Sequence, residues 1–312
     1  MLSIAVKSSQ QQVPPFLRIA QKFGISSFEL FQNVIEISQV PIEKRVERLA
    51  RLFKGKIKWV CFHSPLWTCS RDPFECDLAG EKNKIILTFA RETILEAGML
   101  SARLSLEKPT FVIVHFIGLS FYPSITEKLL FLERKKKVLK ELKDYIQEVC
   151  SRFGLMKNNQ PMIKLVVENN PPLQRVGFGL IDMHPYDFCR TPLTEVCLDF
   201  SHFQLTLNYW SFGRGESKGS ELDRKIYFPP DWTDLLDTFG QYIQMIHLND
   251  AVGYSPSGEG LPLGRGEINF PKVLQHKCFQ KECFATIEIK DQHRHPEFIM
   301  ESLEYLQRHQ LI

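Results

Sequence analysis

The sequence predicts an α/β protein built as a (β/α)8 barrel, with residues 1–312 forming a single domain. Two observations lead to this prediction. Eight short apolar segments alternate with stretches of helical periodicity, and the later segments end in His, Asp or Glu. Alternation of strands and helices is typical of parallel sheets with helical crossovers. One barrel of this kind commonly uses about 250 residues or more, which the chain provides.

The eight predicted strands are rich in Val, Ile and Phe and are mostly continuous in apolarity rather than alternating. Strands that are buried on both faces of a parallel sheet have this composition. In chain order, the predicted strands are residues 2–6, 27–31, 59–63, 110–115, 164–168, 195–199, 242–247 and 285–289.

Helical periodicity between the strands is clearest in residues 13–23 and 127–153. The prolines at 14–15 suit the first turn of the former helix, and Gly24 suits its end. Residues 134–137 are four consecutive basic residues, a pattern that could be taken for an anion-binding motif. In a helix these charges spread around the cylinder, so we interpret them as a solvated face.

An open, doubly wound sheet is the alternative fold. It would concentrate ligand-binding residues at one switch point, whereas the polar residues here follow six consecutive strands. The polar, Gly-rich segment 213–230 is interpreted as a long loop after the sixth strand, where barrel extensions shape the substrate pocket. The aromatic residues of 209–212 are candidates for a lid or a subunit contact.

The composition, with 44% hydrophobic and 24% charged residues, is that of an ordinary soluble protein. A net charge of +3 is small for a dedicated nucleic-acid binder. The N-terminus has no signal-peptide pattern, and no apolar stretch approaches the ~18 residues of a membrane span. There are eight cysteines but no Cys-x-x-Cys pair. We therefore expect a cytoplasmic protein with free thiols and no membrane contact.

Side chains that can bind metal mark the ends of strands three to eight. They are His63, His115, Glu168, Asp199 with His202, His247 with Asp250, and Glu288. In a barrel these strand ends converge on one mouth. Several carboxylates and imidazoles around one cavity are unfavourable without a positive charge to balance them. The set therefore predicts a divalent metal site.

Other polar residues are weaker candidates. Three histidines in helical or loop context are expected at the surface: His184, His276 and His309. Two more follow strand eight and are candidates for substrate contact: His293 and His295. Two loop arginines are candidates for anion contacts, although each is more simply a solvated charge: Arg214 and Arg265.

Short motifs in a fixed order resemble those of the xylose isomerase-like TIM barrel superfamily, which includes sugar phosphate isomerases and epimerases and also endonuclease IV. The motifs are ELF at 29–31, HSP at 63–65, VIVH at 112–115, VVEN at 166–169, DFSH at 199–202, HLND at 247–250 and PLGRGEINF at 262–270. The last is similar to the Gly-x-Gly-x-Ile-[Asp/Asn]-[Phe/Trp] turn of that superfamily. The resemblance covers nearly the whole chain.

In the isomerase and epimerase branch, the resemblance implies one divalent metal ion, Mn, Co, Mg or Zn. The implied metal ligands are Glu168, Asp199, His247 and Glu288. Glu168 and Glu288 are also the implied catalytic pair, since one can remove a proton next to a substrate carbonyl while the other returns it. The candidates for substrate binding are His63, His115, His202 and Asp250.

In the endonuclease IV branch, the resemblance implies three zinc ions that cleave a phosphodiester at an abasic site. His63, His115 and His202 would then be metal ligands together with the four residues of the isomerase site. That family carries an Asp-Arg-His cluster shortly before its Gly-x-Gly turn. Residues 257–262 stand there instead, with Glu259 as the only candidate substitute.

We therefore expect a divalent-metal-dependent isomerase or epimerase that acts on a sugar or similar polyhydroxylated small molecule through an enediolate. The alternatives are an endonuclease IV-like zinc phosphodiesterase acting on abasic DNA and a related sugar dehydratase. The expected partner is a carbohydrate-like small molecule, with nucleic acid as the partner in the phosphodiesterase alternative. The sequence leaves the oligomeric state open.

Overall fold

The computed structural model describes residues 2–65, 78–80, 83–116, 125–171, 195–212 and 231–312. Within these residues the main sheet is a closed barrel of eight strands. They are β1 (Leu2–Ser9), β2 (Ser27–Phe31), β3 (Trp59–His63), β4 (Thr110–Val114), β7 (Ile163–Glu168), β8 (Glu195–Asp199), β9 (Ile243–Leu248) and β10 (Cys283–Ile287). Around the barrel the order is β1-β10-β9-β8-β7-β4-β3-β2.

The predicted barrel is confirmed, because every predicted strand overlaps an observed one and the sheet closes. A doubly wound open sheet is excluded by that closure. Paired strands of the barrel run parallel, as do β2 and β3, where Phe31 pairs with His63. The largest shift of a boundary is at β1, which ends at Ser9 rather than at residue 6. The strand β10 lies two residues earlier than predicted and begins at Cys283 rather than at residue 285. The two added residues, Cys283 and Phe284, are buried, as the other residues of this strand are.

Helices connect the strands. They are α1 (Val13–Lys22), α2 (Val34–Gln39), α3 (Ile42–Phe53), α4 (Lys84–Leu104), α5 (Ile125–Phe153), α6 (Phe200–Phe212), α7 (Trp232–Phe239), α8 (Phe270–Leu274) and α9 (Glu297–Arg308). The helices predicted at residues 13–23 and 127–153 are present as α1 and α5, and each end lies within two residues of its predicted position. No helix in the described part of the chain is long and apolar enough to cross a membrane.

The sequence prediction did not include a small hairpin formed by β5 (Met156–Lys157) and β6 (Gln160–Pro161). Its two turn residues, Asn158 and Asn159, have φ angles of 50° and 59°. Asparagine tolerates this left-handed conformation better than most residues, and a turn with two such residues matches the twist of a hairpin. The Asn-Asn pair was therefore the signal that could have revealed it.

Two compact units can be distinguished in the chain. We call residues 5–119 and 133–167 the N-terminal unit, and residues 1–4, 120–132 and 168–312 the C-terminal unit. In the C-terminal unit, Phe200 at the start of α6 packs against aromatic rings from the following segments. Its ring centroid lies 4.7 Å from that of Trp232 and 5.9 Å from that of Phe270. These contacts hold the start of α6 directly after the end of β8.

The N-terminal unit contains a buried charge network centred on Arg45. Its guanidinium group lies 2.9 Å from Glu96 and 2.6 Å from Glu92, and it also donates to the backbone carbonyls of Ile37 and Val40. Burial raises the pKa of Glu96, against the opposing effect of the Arg45 charge. A buried arginine is tolerated only when its donors are satisfied in this way. The network joins α2, α3 and α4.

Candidate metal centre and active site

Four side chains of the C-terminal unit converge at the carboxyl ends of its strands. Glu168 and Asp199 are the last residues of β7 and β8, His247 is near the end of β9, and Glu288 follows β10 directly. Glu168, Asp199 and His247 are almost inaccessible to solvent, whereas the Glu288 side chain is 29% exposed. The strand ends therefore place three carboxylates and one imidazole around a single point.

The distances fit a single cation. His247 Nδ1 lies 3.1 Å from Glu168 Oε1, 2.6 Å from Glu288 Oε2 and 3.8 Å from Asp199 Oδ2. One donor atom from each of the four residues lies within 4.8 Å of the others. Ligand bonds of about 2.0–2.2 Å place the donors of one ion roughly 3–4.5 Å apart. The distances of 3.1 and 3.8 Å lie in that range, whereas the 2.6 Å between His247 Nδ1 and Glu288 Oε2 is a hydrogen-bond length, so Glu288 would shift outward by a few tenths of an ångström to share an ion. Three adjacent carboxylates, two of them buried, also need a positive charge among them. The donor set suits a divalent metal ion.

Side-chain amides and a hydroxyl fix the orientation of Asp199. Its Oδ1 accepts a hydrogen bond from Ser201 Oγ at 2.8 Å, and its Oδ2 accepts one from Asn249 Nδ2 at 2.7 Å. The backbone of Asp199 is bound from the other side, because Asn169 Oδ1 accepts from its N–H and Asn169 Nδ2 donates to its carbonyl. Partners of this kind hold a metal ligand in one geometry.

Asn169, Ser201 and Asn249 were not among the predicted site residues. Each lies inside a motif that the sequence analysis quoted, next to a predicted ligand. One signal in the sequence was available. An asparagine, which can both donate and accept hydrogen bonds, stands directly after Glu168 and another stands two residues after His247. The partner of each asparagine lies at least 30 residues away along the chain, so the pairing itself could not be read from local spacing.

His202, in the first turn of α6, lies at the edge of this group. Its Nδ1 lies 2.8 Å from the Asn169 carbonyl oxygen, to which the ring N–H donates. Its Nε2 lies 3.7 Å from Glu259 Oε2. Burial disfavours the charged form of the ring, but the negative charges of Asp199, Glu168 and Glu259 outweigh it and raise the pKa of His202.

Glu259 is the carboxylate that the sequence analysis named as a substitute for a missing ligand cluster. It follows a single helical turn, Pro256–Gly258. Burial raises the pKa of the Glu259 carboxyl, partly against the positive charges of His202 and Lys290. The negative charges of Asp199 and Glu288 raise it further. Glu259 is linked to the four-residue group through His202, which lies 3.7 Å from both Glu259 Oε2 and Asp199 Oδ1.

His63 and His115 come together in the N-terminal unit. Their Nε2 atoms are 3.2 Å apart, and His63 Nδ1 lies 2.9 Å from the carbonyl oxygen of Ser64. The ring of Phe31 packs 5.4 Å from that of His63. Ordered ring orientations such as these are what a pair of metal-binding or substrate-binding imidazoles requires.

Asp250 has a different environment from the other predicted site residues. It is fully buried, and its two oxygens accept hydrogen bonds from the backbone N–H groups of Ala251, Gly264, Gly266 and Ile268. Burial raises the pKa of Asp250, and these four hydrogen bonds oppose the rise. The contacts assign Asp250 to the conformation of the loop that follows β9. Its predicted role in substrate binding stays a prediction.

The weaker candidates are placed as follows. His309, His293 and His295 are exposed, and His295 Nδ1 lies 3.0 Å from Glu297. Arg265 forms an exposed ion pair with Glu301. The surface assignment of His276 was wrong, because its side chain is only 14% exposed and caps the turn at Cys278. Segment 213–230, with Arg214, and His184 lie outside the described residues.

In comparisons by sequence, no protein-family profile and no curated protein matches the chain. Solved structures with the same architecture do exist. Endonuclease IV from Thermus thermophilus is 16% identical with a TM-score of 0.54, over 98% of this chain and 99% of that one. A xylose isomerase domain protein from Planctomyces limnophilus is 12% identical with a TM-score of 0.55, over 98% of both chains.

A D-psicose 3-epimerase, solved in the presence of D-fructose, is 11% identical with a TM-score of 0.56, over 92% of this chain and 86% of that one. At these identities the similarity concerns the fold. The motif order, the closed barrel and the similar structures agree with one another. The chain therefore has the same TIM-barrel fold as these proteins.

Proposed function

We propose that the protein is a divalent-metal-dependent isomerase or epimerase of a sugar or similar polyhydroxylated small molecule. One observation carries the proposal: the carboxylates of Glu168 and Glu288 approach the same buried atom, His247 Nδ1, at 3.1 and 2.6 Å. The two carboxylates therefore lie close to each other, and a carbonyl compound bound beside them would meet both at once. A pair of carboxylates is what a proton transfer between two carbon positions or two faces needs.

The metal ligands in this proposal are Glu168, Asp199, His247 and Glu288. When bound, a divalent ion supplies polarisation of the substrate carbonyl oxygen. Glu168, which is buried, and Glu288, which is 29% exposed, remove and return the proton on the neighbouring carbon. Because Glu288 contacts solvent, the proton it carries exchanges with water between turnovers. His202, held by the Asn169 carbonyl, contacts a substrate oxygen.

Among the similar structures, the D-psicose 3-epimerase and the xylose isomerase domain protein have names that agree with this class of reaction. Their names agree with a carbohydrate-like substrate. The proposal is tested by incubating the Mn²⁺-loaded protein in D₂O with D-fructose and with related ketoses, aldoses and their phosphates. We expect deuterium at the carbon next to the carbonyl, measured by NMR. A metal-loaded protein that labels no member of this panel would contradict the proposal.

Two substitutions identify the catalytic pair. We expect Glu168→Gln or Glu288→Gln to lower turnover at least about 100-fold, because an amide cannot accept the transferred proton. Turnover, metal content and thermal unfolding are measured together, so that loss of chemistry is distinguished from loss of fold. Glu301→Gln, on the exposed face of α9, is the matched control. Activity close to wild type in either site variant would refute the two-glutamate mechanism.

A phosphodiesterase of the endonuclease IV kind is the second candidate, and the His63–His115 pair favours it. The 3.2 Å between the two Nε2 atoms matches the spacing of two imidazoles on one zinc ion, roughly 3.3 Å at tetrahedral angles. Metal content of protein purified without chelator separates the candidates. Two or three zinc ions per chain, with tighter binding to abasic than to intact duplex DNA, would favour the phosphodiesterase.

A further inference from the structure

One carboxylate oxygen beside the metal group lacks a partner. Glu259 Oε2 is buried, and no donor in the described part of the chain lies within hydrogen-bonding distance of it. His202 Nε2 approaches to 3.7 Å, which is too long for a hydrogen bond. An unsatisfied buried carboxylate oxygen is unfavourable by about 1–3 kcal/mol or more. The position therefore calls for a hydrogen-bond donor that the described residues do not provide.

We call the space between Glu259 Oε2 and His202 Nε2 the gap. Its width limits which chemical group can bind there. An atom about 2.8 Å from both Glu259 Oε2 and His202 Nε2 can bridge their separation of 3.7 Å. A hydroxyl group can both donate and accept a hydrogen bond. It can therefore donate to Glu259 Oε2. It can also accept from Nε2–H when the imidazole carries both protons, since Nδ1–H already donates to the Asn169 carbonyl oxygen. A sugar hydroxyl group has the required size and chemistry.

A second metal ion fits this position less well. Catalytic metal sites usually have three protein ligands, and His202 with Glu259 would supply two. The groups of donors that could hold an ion, in the same part of the chain, do not include this pair.

An anionic group also fits poorly. Glu259 stands near the negative charges of Asp199 and Glu288, and the described cation that faces it apart from His202 is Lys290, with Nζ 3.7 Å from Oε1. Lys290 is half exposed, so water screens its charge. A phosphate group would meet the negative charge of Glu259 directly, and like charges at this range repel.

We propose that Glu259, together with His202, binds a hydroxyl group of an uncharged sugar and makes the site select free sugars over sugar phosphates. The inference rests on the proposed function, since it names the substrate class of that site. Glu259 acts on affinity and specificity, whereas Glu168 and Glu288 act on proton transfer. The two proposals can therefore fail separately.

Calorimetric titration of the Mn²⁺-loaded protein with D-fructose and with D-fructose 6-phosphate tests the inference. We expect at least about tenfold tighter binding of D-fructose. We expect Glu259→Ala to weaken D-fructose binding about tenfold or more. Glu259→Gln keeps a hydrogen-bonding group without the charge, so it should retain D-fructose and improve binding of the phosphate. Metal content should be unchanged in both variants, and Glu301→Ala is the control.

The inference is overturned if the wild-type protein prefers the phosphate, binds both sugars equally or binds neither. It is also overturned if the Glu259 variants behave as wild type or lose a metal ion. The expected binding pattern without deuterium exchange would contradict only the proposed reaction. Deuterium exchange with no effect of Glu259 would contradict only the assignment of Glu259.

Discussion

Outside the candidate site, Cys278 lies in an environment that should change the reactivity of its thiol. Cys278 lies in the turn capped by His276, with Sγ 3.2 Å from His276 Nδ1, and His276 Nε2 lies 3.3 Å from Asp237. This Cys-His-Asp order resembles that of an activated thiol. Burial nevertheless raises the pKa of Cys278 to about 11. The thiol is therefore protonated at neutral pH, and the cluster is a structural cap.

We expect Cys278 to react slowly with iodoacetamide. Only the thiolate is nucleophilic, so at pH 8 the native residue should react more than about tenfold more slowly than the same residue in the unfolded chain. Its rate should rise about tenfold per pH unit up to about pH 10, below its raised pKa. Peptide mapping by mass spectrometry measures this rate. A rate that levels off near pH 8.5 would show an ordinary thiol.

For single residues, the sequence predicted the positions of the candidate metal ligands but not the hydrogen bonds that hold them in place. Glu168, Asp199 and His247 could be predicted because a polar residue at the end of a continuous apolar strand is itself a local pattern. The hydrogen bonds of Asn169 and Asn249 depend on which strands are neighbours in the barrel. That information is long-range, so motif spacing along one segment does not contain it.

Among the structural elements, the loop after β9 depends on one residue. Asp250 accepts from four backbone N–H groups that span residues 251–268. Gly266 is needed there because a Cβ atom would lie 2.4 Å from the carbonyl oxygen of Ala251 and from Asp250 Oδ1. The same loop carries Glu259. The geometry of the proposed substrate contact therefore depends on Asp250.

We expect Asp250→Ala to lower the free energy of unfolding by about 3 kcal/mol or more, because it leaves several buried N–H groups without an acceptor. Urea denaturation measures the loss. The control is Glu301→Ala, which removes an exposed ion pair with Arg265 and should change stability by less than about 1 kcal/mol. Equal stability of the two variants would show that the loop does not depend on Asp250.

The elements themselves were predictable to different degrees. The barrel strands were found because each is a short apolar run between helical segments, and those patterns are local. The β5–β6 hairpin has two residues in each strand, which is too short for any periodicity to show. The buried pair of Lys7 and Glu29, 2.9 Å apart, was also missed, because opposite charges on neighbouring strands look like ordinary surface residues in a sequence.

For the whole molecule, metal binding and folding should be coupled. Glu168, Asp199 and Glu288 place three carboxylates within a few ångströms of one another, and their repulsion opposes folding when no cation is present. A ligand at 100 times its dissociation constant stabilises a protein by about 2.7 kcal/mol. We therefore expect chelation to lower the Tm by several degrees and Mn²⁺ to restore it.

Asp199→Asn supplies the comparison for that experiment. It removes one of the repelling charges and weakens the metal site, so both the effect of the chelator and the effect of added Mn²⁺ should shrink. Calorimetry of each form gives the Tm, and elemental analysis verifies that the metal has been removed. An unchanged Tm after verified removal would mean that these carboxylates do not need a cation for the fold to be stable.

The asparagine side chains that bind Asp199 bear on the chemical stability of the protein during storage. Asparagine side chains hydrolyse slowly to aspartate, and Asn249 Nδ2 lies 2.7 Å from Asp199 Oδ2. Hydrolysis of Asn249 would replace a donor with a second carboxylate against the first. The fold protects against this damage, because Asn249 is buried, both atoms of its amide are hydrogen-bonded, and the N–H of Asp250 that would attack the amide donates to the Leu261 carbonyl oxygen. The geometry around Asp199 should therefore last in storage for as long as the barrel stays folded.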